Sequence, residues 1–448
     1  MVSRRSNSMF YGLIVASFLV AIAYWVSKYL IDNRPEDPDS INQVLADLDK
    51  HDPGWRLEDL EAKGQPIPDD QNGALCVLAA RKLLPEKWPT SDFLNQLPSD
   101  MWAEQLNEEQ ISLIQHELTQ RRAALEEAHK LENLPTGRYP LHASSNRIFI
   151  YNTPPLDLVI AVANLLEYEA VAEAHLGRLN KAWRCCLAIL NVARSMGDEF
   201  FRIHFCHKAA YCMMQTLARG EVTETELHRL QEELTKEANY SSFLRALRKE
   251  RVNYHKFWSE IESGNIEPLK EWGIKWRNED LIDADVSHAR VIQFLTRLIQ
   301  IIPLSAADQN DSLQELPALK AQIPQFARKF LLDIEKCINY ERRNRAFLRC
   351  ALTALAAERF RLKHHNWPDS LSALVPLYLD QVPIDPFDDK PLRYRQLKDQ
   401  ILIYSISDNL EDNDGSLSDN NQIESGRDCG TRLWNPDQRG KVHKPGVK

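Results

Sequence analysis

Glycine is scarce, with 15 in 448 residues, and methionine scarcer still at six. So little glycine excludes collagen-like and glycine-rich flexible architectures, and the abundance of Leu, Ala, Glu and Arg leans the chain toward helix. The eight cysteines contain no C-x-x-C, and Cys185 and Cys186 are adjacent, so their spacing is not that of a disulfide framework. H-E-x-x-H, G-x-S-x-G and the P-loop pattern are all missing, which removes the enzyme classes those motifs define. Positive charge is in deficit: 55 Lys and Arg against 64 Asp and Glu leave a net charge of −9, which argues against a general nucleic-acid binder.

What is present begins with one uncharged run of membrane length. Met9 to Ser27 reads MFYGLIVASFLVAIAYWVS, nineteen residues behind Arg4 and Arg5 and ahead of Asp32, Glu36, Asp37 and Asp39. As a helix it spans about 30 Å of hydrocarbon. The flanking charges place residues 1–8 in the cytoplasm and the bulk of the chain outside it, as a single-pass protein of the cytoplasmic membrane with a periplasmic body. Cleavage of a signal peptide at Ala21-Ile22-Ala23 is the competing reading. The apolar run continues through Tyr24, Trp25, Tyr29, Leu30 and Ile31, which favours an uncleaved anchor over residues 9–31. Beyond it the charged fraction of 27% and mean hydropathy of −0.43 describe a globular body.

The fold class expected is mainly α, with a small α+β module at the C-terminus. Residues 32–40 form a Pro- and acid-rich linker. Residues 41–150 carry short helical stretches between turn signals such as Asp52-Pro53-Gly54. Residues 151–325 read as a helix-hairpin domain: Leu156–His175, Lys181–Met196, Glu199–Arg219 and Thr223–Lys236, punctuated by Gly177, Gly197 and Gly220. Thr223 and Glu226 have capping-box spacing. Ala174-His175-Leu176-Gly177-Arg178 followed by Ala182 resembles the turn of a tetratricopeptide-like hairpin, although the full signature is absent. Stacked antiparallel helix pairs are the architecture this suggests, a plain bundle being the alternative. Ser241–Ser263 and Asp280–Ile302 continue the helices, 303–316 reads as a polar loop, and Gln325–Lys363 as one long helix. Cys337 and Cys350 lie about 19 Å apart on that helix and cannot pair. Cys185 or Cys186 with Cys206 or Cys212 is the one plausible disulfide, and small buried apolar side chains are the simpler role.

Residues 326–428 hold the most distinctive stretch. The long helix runs into Asn366-Trp367-Pro368, Leu371 and Leu374 make a short helix, and Val382-Pro383-Ile384-Asp385-Pro386-Phe387 turns the chain. Leu392–Gln396 and Gln400–Ser405 alternate as a β-hairpin and lead to an acidic loop. This order resembles the C-terminal part of the major pseudopilins of type II secretion, and modules at the end of large membrane-anchored bacterial envelope proteins. The resemblance covers about 65 residues, Leu352 to Gly415. It implies an α+β fold for the module and a calcium site in the acidic loop, where Asp408, Asp412, Asp414 and Asp419 match. Counted as an EF-hand the loop fails, because Leu410 stands at a ligand position and Asn413 at the turn glycine. A solvated acidic turn is the alternative. The prepilin-peptidase site that opens pseudopilins is missing at Ser8-Met9-Phe10-Tyr11, so assembly as a pilin subunit is not expected.

Other candidate chemistry is thin. His204 and His207 share a helix face near Cys206 and Cys212, but no partner pair at zinc-like spacing accompanies them. His364-His365 fits a helix C-terminus. Residues 429–448, with Trp434-Asn435-Pro436 and a basic end, read as a tail. Together these features point to a non-catalytic envelope scaffold with a protein partner, possessing no catalytic constellation visible in the sequence. The alternatives are an exported enzyme with a site in the helical region, or an accessory secretion-system component docking through the module.

Overall fold

The computed structural model describes residues 40–62, 66–98, 101–102, 106–140, 156–265, 269–270, 284–329, 331, 334–417 and 427–441. The expected anchor, residues 32–39 of the linker and Asp419 lie outside them. Among the described residues no helix is long and apolar enough to cross a membrane.

The chain is mainly helical, with one small antiparallel sheet near its end. In order, the helices are α1 (Ile41–His51), α2 (Leu57–Ala62), α3 (Gly73–Lys82), α4 (Ser91–Leu94), α5 (Glu108–Gln120) and α6 (Arg122–His129). Then come α7 (Leu156–His175), α8 (Leu179–Ser195), α9 (Arg202–Arg219), α10 (Glu224–Asn239) and α11 (Ser242–Glu262). The series closes with α12 (Ala284–Ile301), α13 (Ala306–Leu313), α14 (Leu316–Gln322), α15 (Gln325–Arg328) and α16 (Ile334–His364).

Helices α7, α8 and α9 pack consecutively, as their short connections require. Gly177 reverses the chain between α7 and α8 at φ +73°, a left-handed conformation that side chains with a Cβ adopt at a cost. Helix α7 is apolar round most of its circumference, and it is buried accordingly. Thr223 caps α10 by accepting from the Glu226 amide at 3.4 Å.

Two hydrophobic cores result. The larger joins α3 to α10, the C-terminal half of α16 and one face of the sheet. The smaller joins α1, α2, α11, α12, α14, α15 and Ile338 of α16. Residues 41–62 therefore pack with a bundle some two hundred positions later, through Val44, Leu48 and Trp55, while the following segment joins the larger core. Helix α16 passes from one core to the other.

The sheet has the order β1 (Arg393–Gln396), β2 (Gln400–Ser405), β3 (Cys429–Trp434), antiparallel throughout. Alternation divides β2: Ile401 and Ile403 face the larger core, whereas Leu402 and Tyr404 pack with Leu417 on the other side. Gly430 lies opposite Tyr404, where a Cβ would meet the Ile403 carbonyl oxygen at 2.3 Å.

Three expectations are corrected. Residues 303–316 contain helix α13, because Ser305 accepts from the Asp308 amide and donates to the Asp308 carboxylate at 2.7 Å. The single helix expected over Gln325–Lys363 is two, α15 and α16. Within 429–448, residues 429–441 are not a tail: β3 pairs with β2, and Arg439 is buried against α16. All eight cysteines are free.

Candidate functional site: an arginine-lined cleft

The Asp385-Pro386-Phe387 turn is built round a fully buried carboxylate. Asp385 accepts from the Phe387 amide at 2.9 Å, the Ser405 hydroxyl at 2.8 Å and the Ile406 amide at 3.0 Å, and it pairs with Arg393. Burial pushes its carboxyl up, and the surrounding donors oppose that. One residue therefore ties the turn to β1 and to the end of β2.

Helix α16 holds the turn from the other side. Arg342 donates from Nε and Nη2 to the Pro386 carbonyl at 3.2 and 2.9 Å, and from Nη1 to Asn310 at 2.8 Å. Its guanidinium also lies 4.5 Å from the centre of the Phe387 ring. Two helical turns on, Arg349 donates to the Ile384 carbonyl at 2.6 Å.

Between this turn, α16 and the Ile302–Gln309 corner lies a cleft of about 160 Å³. Arg342, Arg345 and Arg349 line it with Glu341 and Asp389, beside Ile302, Pro303 and Leu304. The spacing 342, 345, 349 puts all three arginines on one helix face. Their surroundings differ. Arg345 pairs with Glu341, and Asp389 accepts from the Ala306 amide at 2.6 Å. Arg342 and Arg349 face backbone carbonyls, and among the described residues neither forms an ion pair. Burial lowers the affinity of both for their protons; at Arg349 the neighbouring Arg345 acts in the same direction. Three guanidiniums against two carboxylates leave the lining with one net positive charge.

A second cluster went unrecognised in the sequence because its members come from three helices. His129 Nε2 lies 2.5 Å from Glu169 Oε2, and Cys185 Sγ lies 3.1 Å from the same oxygen. The three offer nitrogen, oxygen and sulfur ligand atoms within 4.8 Å of one another. Lys181 Nζ stands 3.1 Å from the other Glu169 oxygen and supplies positive charge there already. Burial raises the Cys185 thiol well above its usual range.

The acidic-loop residues diverge. Asp408 pairs with Arg343 of α16. Asp412 accepts from the Tyr404 hydroxyl at 3.2 Å and the Asp414 amide at 2.9 Å, while Asp414 is 87% exposed at its side chain. The buried carboxylate at this loop is Asp428, which accepts from the Asn413 and Gly415 amides at 3.3 and 2.7 Å. His204 and His207 also part: His204 meets the Tyr340 hydroxyl, and His207 stacks on Phe347 with 4.2 Å between ring centres. Cys206 faces Glu237, and Cys212 faces Glu167.

No family model, curated protein or solved structure matches this chain.

Proposed function

We propose that this protein is a single-pass envelope scaffold, held in the cytoplasmic membrane by residues 9–31, with its helical body on the extracytoplasmic side. The observation that carries this reading is the nineteen-residue uncharged run behind Arg4 and Arg5 and ahead of an acidic segment. Helix pairs packed in succession support it, because such packing offers long side-chain faces to a protein partner. Docking to a secretion system through the pseudopilin-like module is a second reading. The exposed Leu377, at 74%, and Leu410, at 48%, favour it as apolar contacts on the module surface.

Site-specific photo-crosslinkers placed at Leu377 and Leu410, and at exposed Leu83 and Phe201 on the helical body, distinguish the two in native membranes. Adducts at Leu83 or Phe201 support the scaffold reading. Adducts confined to the module move the docking site there. A body that protease digests from the cytoplasmic side would overturn the topology, and absence of any adduct would overturn the partner.

A further inference from the structure

We infer that the cleft between α16 and the Asp385-Pro386-Phe387 turn binds a compact oxyanion, a phosphate or carboxylate group, through Arg345 and Arg349. This is independent of the topology proposed above and could fail without it.

A guanidinium carries five N–H donors in a rigid fork suited to the paired oxygens of carboxylate and phosphate. Arg349 spends one hydrogen bond, on the Ile384 carbonyl. Arg345 spends its bond on Glu341. Both half-buried side chains line the cleft, with donors beyond those bonds. Arg342 differs, being 5% exposed, with three hydrogen bonds to Pro386 and Asn310 and its plane against Phe387. It braces the wall and adds its charge without needing to contact the ligand.

Charge supports the same assignment. Several buried guanidiniums elsewhere meet carboxylates: Arg194 and Arg202 share Glu237, Arg251 meets Asp52, and Arg439 and Arg361 share Glu358, whereas Arg81, like Arg349, donates to backbone carbonyls. Among the described residues Arg342 and Arg349 form no ion pair, and Glu341 and Asp385 favour their charged forms only from a distance. Cations removed from water without an anion are costly, and a bound anion relieves that cost. Of the two carboxylates present, Asp389 is held by the Ala306 amide, and Glu341 is paired with Arg345.

Size limits the ligand. A cavity of about 150 Å³ holds a benzene molecule, so 160 Å³ accommodates a phosphate or carboxylate group with a few further atoms. A polyanionic chain or a bulky nucleotide does not fit inside.

The test is calorimetric titration of the full-length protein, in detergent, with inorganic phosphate and separately with acetate. One saturable site is expected. Arg345→Gln and Arg349→Gln should each weaken it on the order of ten- to a hundredfold, and Arg122→Gln, on an exposed face of α6, should leave it unchanged. Glu341→Gln removes the competing anion and should tighten binding about tenfold, an effect that a merely structural role for Arg345 would not produce. Tighter binding of phosphate assigns phosphorylated ligands, and tighter binding of acetate assigns carboxylates. If Arg349→Gln fails to fold, Arg345→Gln and Glu341→Gln still decide the matter. No saturable heat with either anion, or affinities indifferent to Arg345 and Glu341, would overturn the inference.

Discussion

Two sites along α16, one toward each end, treat buried arginine in opposite ways. Toward its C-terminus, Glu358 is fully buried and accepts paired hydrogen bonds from Arg361 at 2.8 and 3.0 Å and from Arg439 at 2.7 Å twice. Toward its N-terminus, Arg342 and Arg349 rest on carbonyl oxygens beside a cleft. The first arrangement closes its charge and joins the last described segment to the larger core. The second leaves charge open. A guanidinium that holds structure is surrounded by carboxylate oxygens, and one available to a ligand retains unspent donors and an opening in front of it.

The largest effect should come from breaking the closed end. Glu358→Ala leaves Arg439 buried without an anion and Arg361 with only the half-exposed Glu221, and should cost about 3–5 kcal/mol in urea-unfolding free energy. A smaller loss would mean that water reaches this junction.

Acid should weaken the molecule in two windows. Burial lowers His255 to about 4, with the neighbouring His288 acting the same way, so the unfolded chain protonates first as pH falls from 6.5. That stability is full above 6.5 and disappears as pH passes toward 4, a loss on the order of 2 kcal/mol. Burial would raise Glu358 and Glu237, but their arginine partners override it and hold both below the ordinary 4.5. Their contribution is present above 4.5 and is lost as pH falls through the lowered values. Equilibrium unfolding followed across pH 3 to 8 should show both declines; the His255→Gln variant should lose the upper one.

At the open end the expected change is small. Arg349→Gln gives up one hydrogen bond to Ile384 but also removes a half-buried cation without a carboxylate, so unfolding free energy should move by less than about 1 kcal/mol. A loss matching that of Glu358→Ala would erase the contrast between the two ends. Smallest of all, Arg122→Gln should leave the melting temperature unchanged, since its pair with Glu126 is exposed.

Much of the helical order was legible because it is local. Periodicity marks α7 through α10, and Gly177, Gly197 and Gly220 mark the ends of the first three, while α9 begins three residues later than expected and α10 runs three residues further, to Asn239. The β1–β2 hairpin was legible from alternation of Ile401 and Ile403 with their neighbours. Helix α13 was not, because the Ser305 cap and its Asp308 partner lie in a polar stretch whose composition suits a loop equally well. Strand β3 was missed for another reason: Cys429–Trp434 has Gly430 and two polar residues, and its pairing with β2 crosses more than twenty positions. The site was only half legible. Asp385-Pro386-Phe387 stood out as a motif, yet its neighbours Arg342 and Arg349 read as ordinary charges on a long helix. Nothing local says that α16 lays them against a turn some forty residues later.

The burial of Arg439 has a consequence for the order of events in synthesis. It clasps Glu358, donates to the Gly220 carbonyl at 3.2 Å, and brings the Gly440 amide to the Ala218 carbonyl at 2.9 Å. Every helix described here is made before this residue leaves the ribosome. Until it arrives, Glu358 on α16 has Arg361 alone and β2 shows a bare edge, the latter a hazard for a nascent chain. Completion of the larger core is thus coupled to completion of translation, and a chain cut short before residue 429 is born with its flaw displayed to quality control.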